Sequence, residues 1–320
     1  MKKVGILYGG KSAEHEISIL SAKNIFDAID RTKFEPELIK IEKSGHWRMD
    51  AVSQYDVILP ILHGPYGEDG TIQGYLKMAD IPFAGPDVLG SAVGMDKDVM
   101  KRLLRDAQIP IGKFLVLKSH EQTPSFDEVE SQLGSPVFIK PANMGSSVGI
   151  SKVSEMSELA SALKNAFQYD TKVIMEEFIS GREIECAVLG NETPAASVPG
   201  EIIPAHDFYS YDAKYIDDKG ASLQIPANLD EGTKKRIQET AIKVFKVLCC
   251  EGLSRVDFFL KDSGEIIVNE INTMPGFTKI SMYPKMWEAS GIGYTELITR
   301  LIELALNRFD RNRQLKTSVV

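Results

Sequence analysis

Along the first ninety residues, short apolar runs alternate with stretches of helical period. They are "KVGILY", an amphipathic pattern over 16–29, "FEPELIKI", "DVILPILHG", a second helical pattern in "GTIQGYLKMA", and "IPFAG". That rhythm predicts β-α-β units and a parallel sheet covered by helices. From Met95 the pattern changes. A charged helix over 96–107 leads into "KFLVL", a helical stretch, "PVFIK", a glycine loop, "GISKV", a helix over 155–167 and "KVIMEEFI", which together predict a small α+β unit with antiparallel strands. From Arg182 follow "REIECAVLG", a polar, tyrosine-rich segment over 205–222, a helix over 230–248, an apolar hairpin and two final helices. The last residues, "FDRNRQLKTSVV", lack periodicity and read as a frayed tail. With no repeat or low-complexity linker, the boundaries fall where the pattern changes, at 1–94, 95–181 and 182–308, with a tail over 309–320. The expected fold class is α/β, with α+β character after residue 95.

Composition narrows the function without defining it. A chain of 320 residues, 43% hydrophobic and 26% charged, has ordinary soluble globular composition. Cys186, Cys249 and Cys250 have no metal-ligand or disulfide-framework spacing and are expected to be structural thiols in a reducing cytoplasm. The N-terminal apolar run is stopped by Gly9 and Gly10, too soon for a signal-peptide core, and no run reaches membrane-spanning length. A net charge of -8 without charge blocks argues against a nucleic-acid surface.

Two loops and one hairpin carry candidate chemistry. "KPANMGSSVGISKV" places Gly145 and Gly149 around two serines, so backbone amides and hydroxyls can approach an oxyanion. It lacks the Gly-Lys-Ser/Thr of a P-loop and runs into a strand, which suits a flap over phosphates; a turn rich in small residues is the alternative. "YGGKSAEHEIS" also follows a strand but lacks G-x-G-x-x-G, leaving a ligand-facing turn with Glu14 and His15 near the sheet edge. Solvated charges at a helix start are the alternative there. In "RVDFFLKDSGEIIVNEIN", a turn near Asp262, Ser263 and Gly264 sets Asp257 opposite Glu270 and Arg255 opposite Asn272. Two facing carboxylates repel unless a cation or a shared proton joins them, and an asparagine oxygen completes a hard, all-oxygen set suited to magnesium, with an arginine beside it for a transferring phosphoryl group; a surface salt-bridged hairpin is the alternative.

With a β-α-β start, a strand–loop–strand flap and this hairpin in one chain, the sequence resembles the ATP-grasp ligases and, within them, the D-alanine–D-alanine ligase family. The resemblance rests on "GGKSAEHEIS", "LHGPYGEDGTIQG", "MDKDVMK", "FIKPANMGSSVGISKV", "EEFISGREIECAVL", "FYSYDAKY", "SRVDFF" and "VNEINTMPGFTKISMYP", in family order to about residue 305. It implies a three-domain ATP-grasp fold whose N-terminal domain is Rossmann-like. It further implies ATP-driven joining of two D-alanine molecules through a D-alanyl phosphate, in peptidoglycan precursor synthesis. By position it assigns Lys97, Lys140, Ser146, Ser147, Glu176, Glu177, Phe178, Ile179, Glu183 and Asn272 to the nucleotide. Asp257, Glu270 and Asn272 correspond to ligands of two magnesium ions, replaceable by manganese. Arg255 and the Gly276 backbone correspond to groups that stabilise transferred charge. Glu14, with His63 in support, would hold the first D-alanine, Ser281 and the Met282 backbone the second carboxylate, and Lys214 the γ-phosphate. Glu14, Ser146 and Tyr215 would form one hydrogen-bonded triad. The resemblance also implies a cytoplasmic homodimer, with ATP and D-alanine as its small-molecule partners. D-lactate or D-serine as second substrate is one alternative within the fold, with Tyr215 matching the dipeptide-forming pattern, and another ATP-grasp carboxylate–amine ligase is a second, against which "NTMPGFT" and "GSSVG" speak. His15, His46, His120 and His206 are left unassigned, and the side chains of Met274, Met282 and Met286 read as packing.

Overall fold

Residues 1–204, 221–316 and 319 are described in the computed structural model of the chain. The first apolar run becomes β1 (Lys2–Gly9), which leads through α1 (His15–Ala28) to β2 (Phe34–Ile41) and then to β3 (Val57–Ile61), all parallel in the order β2-β1-β3. Val4, Ile6 and Leu7 are fully buried, as expected for a central parallel strand covered on both faces. "IPFAG" extends the sheet only as a bridge from Phe83 to Ile58, because Pro82 has no N–H to offer a ladder and contributes its carbonyl alone. α2 (Thr71–Met78) and α3 (Val88–Met95) follow, and the charged pattern folds as α4 (Lys97–Asp106), whose N-cap Asp96 accepts from the amides of Asp98 and Val99 at 3.1 Å each.

The middle of the chain forms an antiparallel sheet of order β4-β7-β5-β6 from β4 (Phe114–Lys118), β5 (Val137–Pro141), β6 (Ser151–Val153) and β7 (Lys172–Glu177). α5 (Phe126–Leu133) and α6 (Met156–Ala166) cover one face, burying Val129, Leu133 and Leu163 against Ile139 and Met175. A larger antiparallel sheet runs β11-β10-β8-β12-β13, with β9 beside β8, from β8 (Arg182–Gly190), β9 (Ala195–Ala196), β10 (Gly200–Pro204), β11 (Ala221–Gln224), β12 (Gly252–Leu260) and β13 (Ile266–Asn272). α7 (Glu231–Val247) packs Ile237, Val244 and Phe245 against Ile184, Val256 and Phe258 of that sheet.

α8 (Met282–Ala289) and α9 (Tyr294–Arg313) close the fold, and Tyr283, Trp287, Leu297 and Ile302 share one core with Val4, Ile6 and Ile25 of the first sheet. The expected frayed tail is corrected here: α9 continues five residues past 308. Arg311 is paired there with Glu192 and, at 2.8 Å, with Glu251, so the last turn is held by charges that carry no apolar period. All three cysteines are free, and burial pushes the Cys186 thiol up to about 12, where it is inert. No described helix is long and apolar enough to cross a membrane.

Candidate active site

The hairpin pairs as its spacing predicts. Arg255 lies opposite Asn272 and Asp257 opposite Glu270, before a bulge between Asp257 and Phe258 shifts the register. Alternate residues of β12 point inward, so Val256 and Phe258 are buried while the polar set shares the other face. Arg255 Nε and Nη2 donate to the two oxygens of Asp257 at 2.7 and 2.8 Å, and Nε lies 3.0 Å from Glu185 of β8. Burial disfavours charge on Arg255, but Asp257 and Glu185 outweigh it and hold the guanidinium firmly charged. Asn272 Nδ2 donates to Asp257 at 2.9 Å, and Lys97 Nζ lies 3.4 Å from Glu270. Among the described residues no group of three or more His, Cys, Asp or Glu could hold a metal ion. The donor set here is two carboxylates and an amide oxygen on one face, which fits a hard divalent cation; its negative charge is balanced by Arg255 and Lys97.

This face looks across a cleft of about 420 Å³ at the antiparallel sheet of the middle unit. Cross-strand pairing puts Phe138 opposite Glu176, so Phe138, Lys140, Glu176 and Phe178 share the face toward the cleft. Glu183, Ile202, Phe259 and Glu270 line it from the other side. The result is a slot with an apolar end at the Phe138–Phe178 pair, ring centroids 6.2 Å apart, and a charged end at Lys97, Lys140 and Glu270. β7 ends at Glu177, whose side chain accepts from Lys113 N at 2.8 Å, so the backbone over Phe178 and Ile179 leaves the ladder at the rim of the slot. Lys97 Nζ donates to Met144 O at 2.7 Å and Lys97 N to Ala142 O at 3.0 Å, anchoring the base of the glycine loop.

The loop joins β5 to β6, the strand–loop–strand arrangement of a flap, with Ser146 and Ser147 both at positive φ. A left-handed backbone at two successive non-glycine residues is costly, and both serines line the cleft. Ser146 Oγ donates to Glu14 Oε1 in a short hydrogen bond, so the flap reaches the turn after β1. Glu14 is buried, and a Cβ at Gly64 would lie 3.1 Å from its other oxygen. His63 Nδ1 is 2.9 Å from Met274 O, an acceptor only, so Nδ1 carries the hydrogen. Burial lowers the His63 pKa against the pull of Glu14, leaving a neutral ring whose buried Nε2 is an acceptor with no hydrogen-bond partner among the described residues.

On the far side, a Cβ on Gly276 would lie 3.0 Å from Ser281 Oγ, so backbone and hydroxyl are adjacent. Ser281 Oγ accepts from Thr278 N at 3.0 Å and does not cap α8, which leaves the first amides of that helix, Met282 included, without that side-chain partner. His15, the neighbour of Glu14, bonds Gly10 O at 2.7 Å and holds the turn.

The cleft thus gathers Lys97, Lys140, Ser146, Ser147, Glu176, Glu177, Phe178, Ile179, Glu183 and Glu270, with Glu14 joined to it through Ser146 and Asp257 and Asn272 beside Glu270 on the hairpin; Gly276, Ser281 and Met282 form a separate group after β13, and Lys214 and Tyr215 lie outside the described residues. Glu68, Glu185 and Lys101 were not singled out. Glu68 is buried, and burial followed by the charge of Glu14 raises its pKa well above the usual carboxylate range. Lys101 lies one helical turn beyond Lys97 on α4, a spacing that sequence could have flagged as a shared face.

The family described as D-ala D-ala ligase C-terminus matches residues 103–303, and D-ala D-ala ligase N-terminus matches 3–55 and 48–86. A D-alanine–D-alanine ligase of Oceanobacillus iheyensis is 53% identical over 360 aligned positions, covering 99% of this chain and 98% of that protein. The VanG D-Ala:D-Ser ligase structure from Enterococcus faecalis superposes with a TM-score of 0.86 at 38% identity, covering 95% and 99%. The D-alanine–D-alanine ligase of Bacillus anthracis complexed with ATP gives 0.84 at 31%, covering 98% and 100%. An alignment of 360 positions leaves at least forty with no residue in this 320-residue chain. The overlap of the two N-terminal matches points to the connection between β2 and β3, here a 3₁₀ turn over Met49–Gln54.

Proposed function

This chain belongs to the D-alanine–D-alanine ligase family, and on that premise we propose that it uses ATP to join two D-alanine molecules into D-alanyl-D-alanine for peptidoglycan precursors. The reaction first moves the γ-phosphoryl group to a carboxylate oxygen of one D-alanine, with ADP leaving. The amine of the second D-alanine then attacks the acyl carbon, and phosphate departs from the tetrahedral adduct. Phosphoryl transfer needs positioning and charge neutralisation above all. Lys97 and Lys140 supply cations at the phosphate end, and Arg255 faces the transferring group and the oxyanion, assisted by the Gly276 backbone. Magnesium, held by Asp257, Glu270 and Asn272, would neutralise the β- and γ-phosphates when bound.

Glu14 takes the ammonium of the first D-alanine, with neutral His63 accepting through Nε2. Ser281 and the amides at Met282 take the carboxylate of the second. The flap, tied to Glu14 through Ser146, excludes water from an acyl phosphate that would otherwise hydrolyse. The observation that carries this reading is the Glu14–Ser146 hydrogen bond, because it joins an ammonium-binding carboxylate to the loop over the phosphates. The same reading has the enzyme work in the cytoplasm as a homodimer through its N-terminal unit.

Purified protein given ATP, magnesium and D-alanine should release phosphate and form a dipeptide identified by mass. D-Lactate or D-serine supplied alongside D-alanine should add little mixed product. Dominant mixed product would favour the activity named for the Enterococcus neighbour, and no phosphate release would overturn the reading. Asp257→Ala should abolish ADP formation in a protein that still folds; near-normal turnover would remove the metal assignment.

A further inference from the structure

Glu176 sits where the apolar and charged ends of the cleft meet, opposite Phe138 across the strand pair and on the same face as Phe178. Two lysines flank it. Lys140 forms a close ion pair with Oε2 from the phosphate side. Lys101 Nζ lies 2.7 Å from Oε1 from the α4 side, itself buried and 5.9 Å from the centre of the Phe114 ring. Each oxygen of Glu176 thus faces its own lysine, Lys101 at Oε1 and Lys140 at Oε2, and the pair of cations holds the carboxylate in place and ionised. Glu176 lines the cleft, and an ionised carboxylate, with lone pairs beyond those its lysines use, can accept a further donor from a ligand there.

We infer that Lys101 sets the purine preference of this site as a positioning residue: it keeps Glu176 an acceptor-only group at the base end of the cleft, which admits a 6-aminopurine over a 6-oxopurine. The inference rests on the nucleotide reading of the cleft given above. A purine lying on Phe138 and Phe178 turns an edge toward Glu176. Adenine offers an amino donor there, whereas hypoxanthine and guanine offer a carbonyl acceptor, which an ionised carboxylate repels.

When Lys140 turns to the phosphates, Lys101 is the counter-charge that stays with Glu176. Burial opposes charging Glu176, yet the two lysines together bring its pKa down to about 2. Without Lys101, a buried glutamate whose other partner is drawn away gains a proton readily, and a protonated carboxyl can donate to a 6-oxo group.

The test compares ATP with inosine triphosphate as phosphoryl donor, by kcat/KM, in wild type, Lys101→Met, Lys101→Arg, Glu176→Gln and the double variant. Wild type should favour ATP strongly. Lys101→Met should lower that ratio by about tenfold or more, mainly through a raised KM for ATP, and Lys101→Arg should restore most of it. Glu176→Gln, whose amide can donate, should relax the ratio on its own, and adding Lys101→Met to it should change the ratio little further.

Equal losses for both nucleotides in Lys101→Met, or an undiminished ratio in Glu176→Gln, would overturn the inference. If Lys101→Met does not fold, Lys101→Gln read by the same ATP-to-inosine-triphosphate ratio decides, an undiminished ratio overturning the inference. A wild-type protein that transfers phosphate from neither nucleotide would overturn the ligase reading instead.

Discussion

Glu68 is buried beside Glu14, with Oε2 accepting from Gly64 N at 2.9 Å. With its pKa raised, the folded protein keeps a proton that the unfolded chain releases near the ordinary carboxylate value. Its contribution to stability is therefore full below that value and declines as pH rises toward the folded pKa. Glu68→Gln, which imitates the neutral acid, should keep substantial activity and flatten the fall of melting temperature with rising pH. Glu68→Ala should lose both packing and activity. An unchanged pH slope in Glu68→Gln would show that this carboxyl is ionised when folded. Residues such as Asp257 and Glu270 were legible from sequence because a two-residue period and one short turn fix which side chains meet. Glu68, Glu185 and Lys101 were not, because the groups that set their protonation come from distant segments: Glu14 lies beside Glu68, Glu185 is on β8 while its arginine is on β12, and Lys101 finds Glu176 on β7.

At the scale of the element, α4 is the part whose position the chemistry depends on. It delivers Lys97 and Lys101 to the cleft from one face, and its start is held by Asp96, which caps two amides and accepts from Lys172 Nζ at 2.5 Å. Asp96→Ala should cost about 1 kcal/mol for the cap, more with Lys172 left only its longer contact to Asp98 at 3.4 Å, and raise the KM for ATP as Lys97 loses its register. Asp96→Asn should recover the cap and most of the KM. Urea unfolding with ATP kinetics checks this, and an unaltered KM in a destabilised Asp96→Ala protein would separate the cap from the site.

The charged, amphipathic pattern of α4 made it readable. α3 was not, since "VLGSAVGM" is apolar almost throughout and carries two glycines that read as helix breakers. Those glycines are packing positions: a Cβ on Gly90 would lie 2.6 Å from Cys249 O, and one on Gly94 2.5 Å from the Thr273 side chain.

Over the whole molecule, α9 ties the first sheet to the last. Arg308 is buried, donates to Phe83 O at 2.7 Å and also to Gly85 O, and its guanidinium carbon lies 4.6 Å from the Phe83 ring centre. A chain ended at residue 316 should unfold like the full-length protein. One ended at 307, lacking Arg308 and Arg311, should lose several kcal/mol, about 1.5–3 for each hydrogen bond from a charged donor. Equal unfolding midpoints would show that the end of α9 is dispensable. The pattern changes near 95 and 182 mark where each sheet begins, but period alone could not reveal that residues near both ends share one core.

His63 and Met274, hydrogen-bonded across 211 residues of sequence, have a further consequence for recombination between related genes. A crossover that exchanges only the middle third transplants the face bearing Phe138, Lys140, Glu176 and Phe178 as a unit. The pocket proposed for the amino acids cannot travel that way, because His63 and Met274, which meet at it, are encoded at opposite ends of the reading frame. New amino-acid preferences must therefore arise by paired inheritance of both ends or by point changes within each.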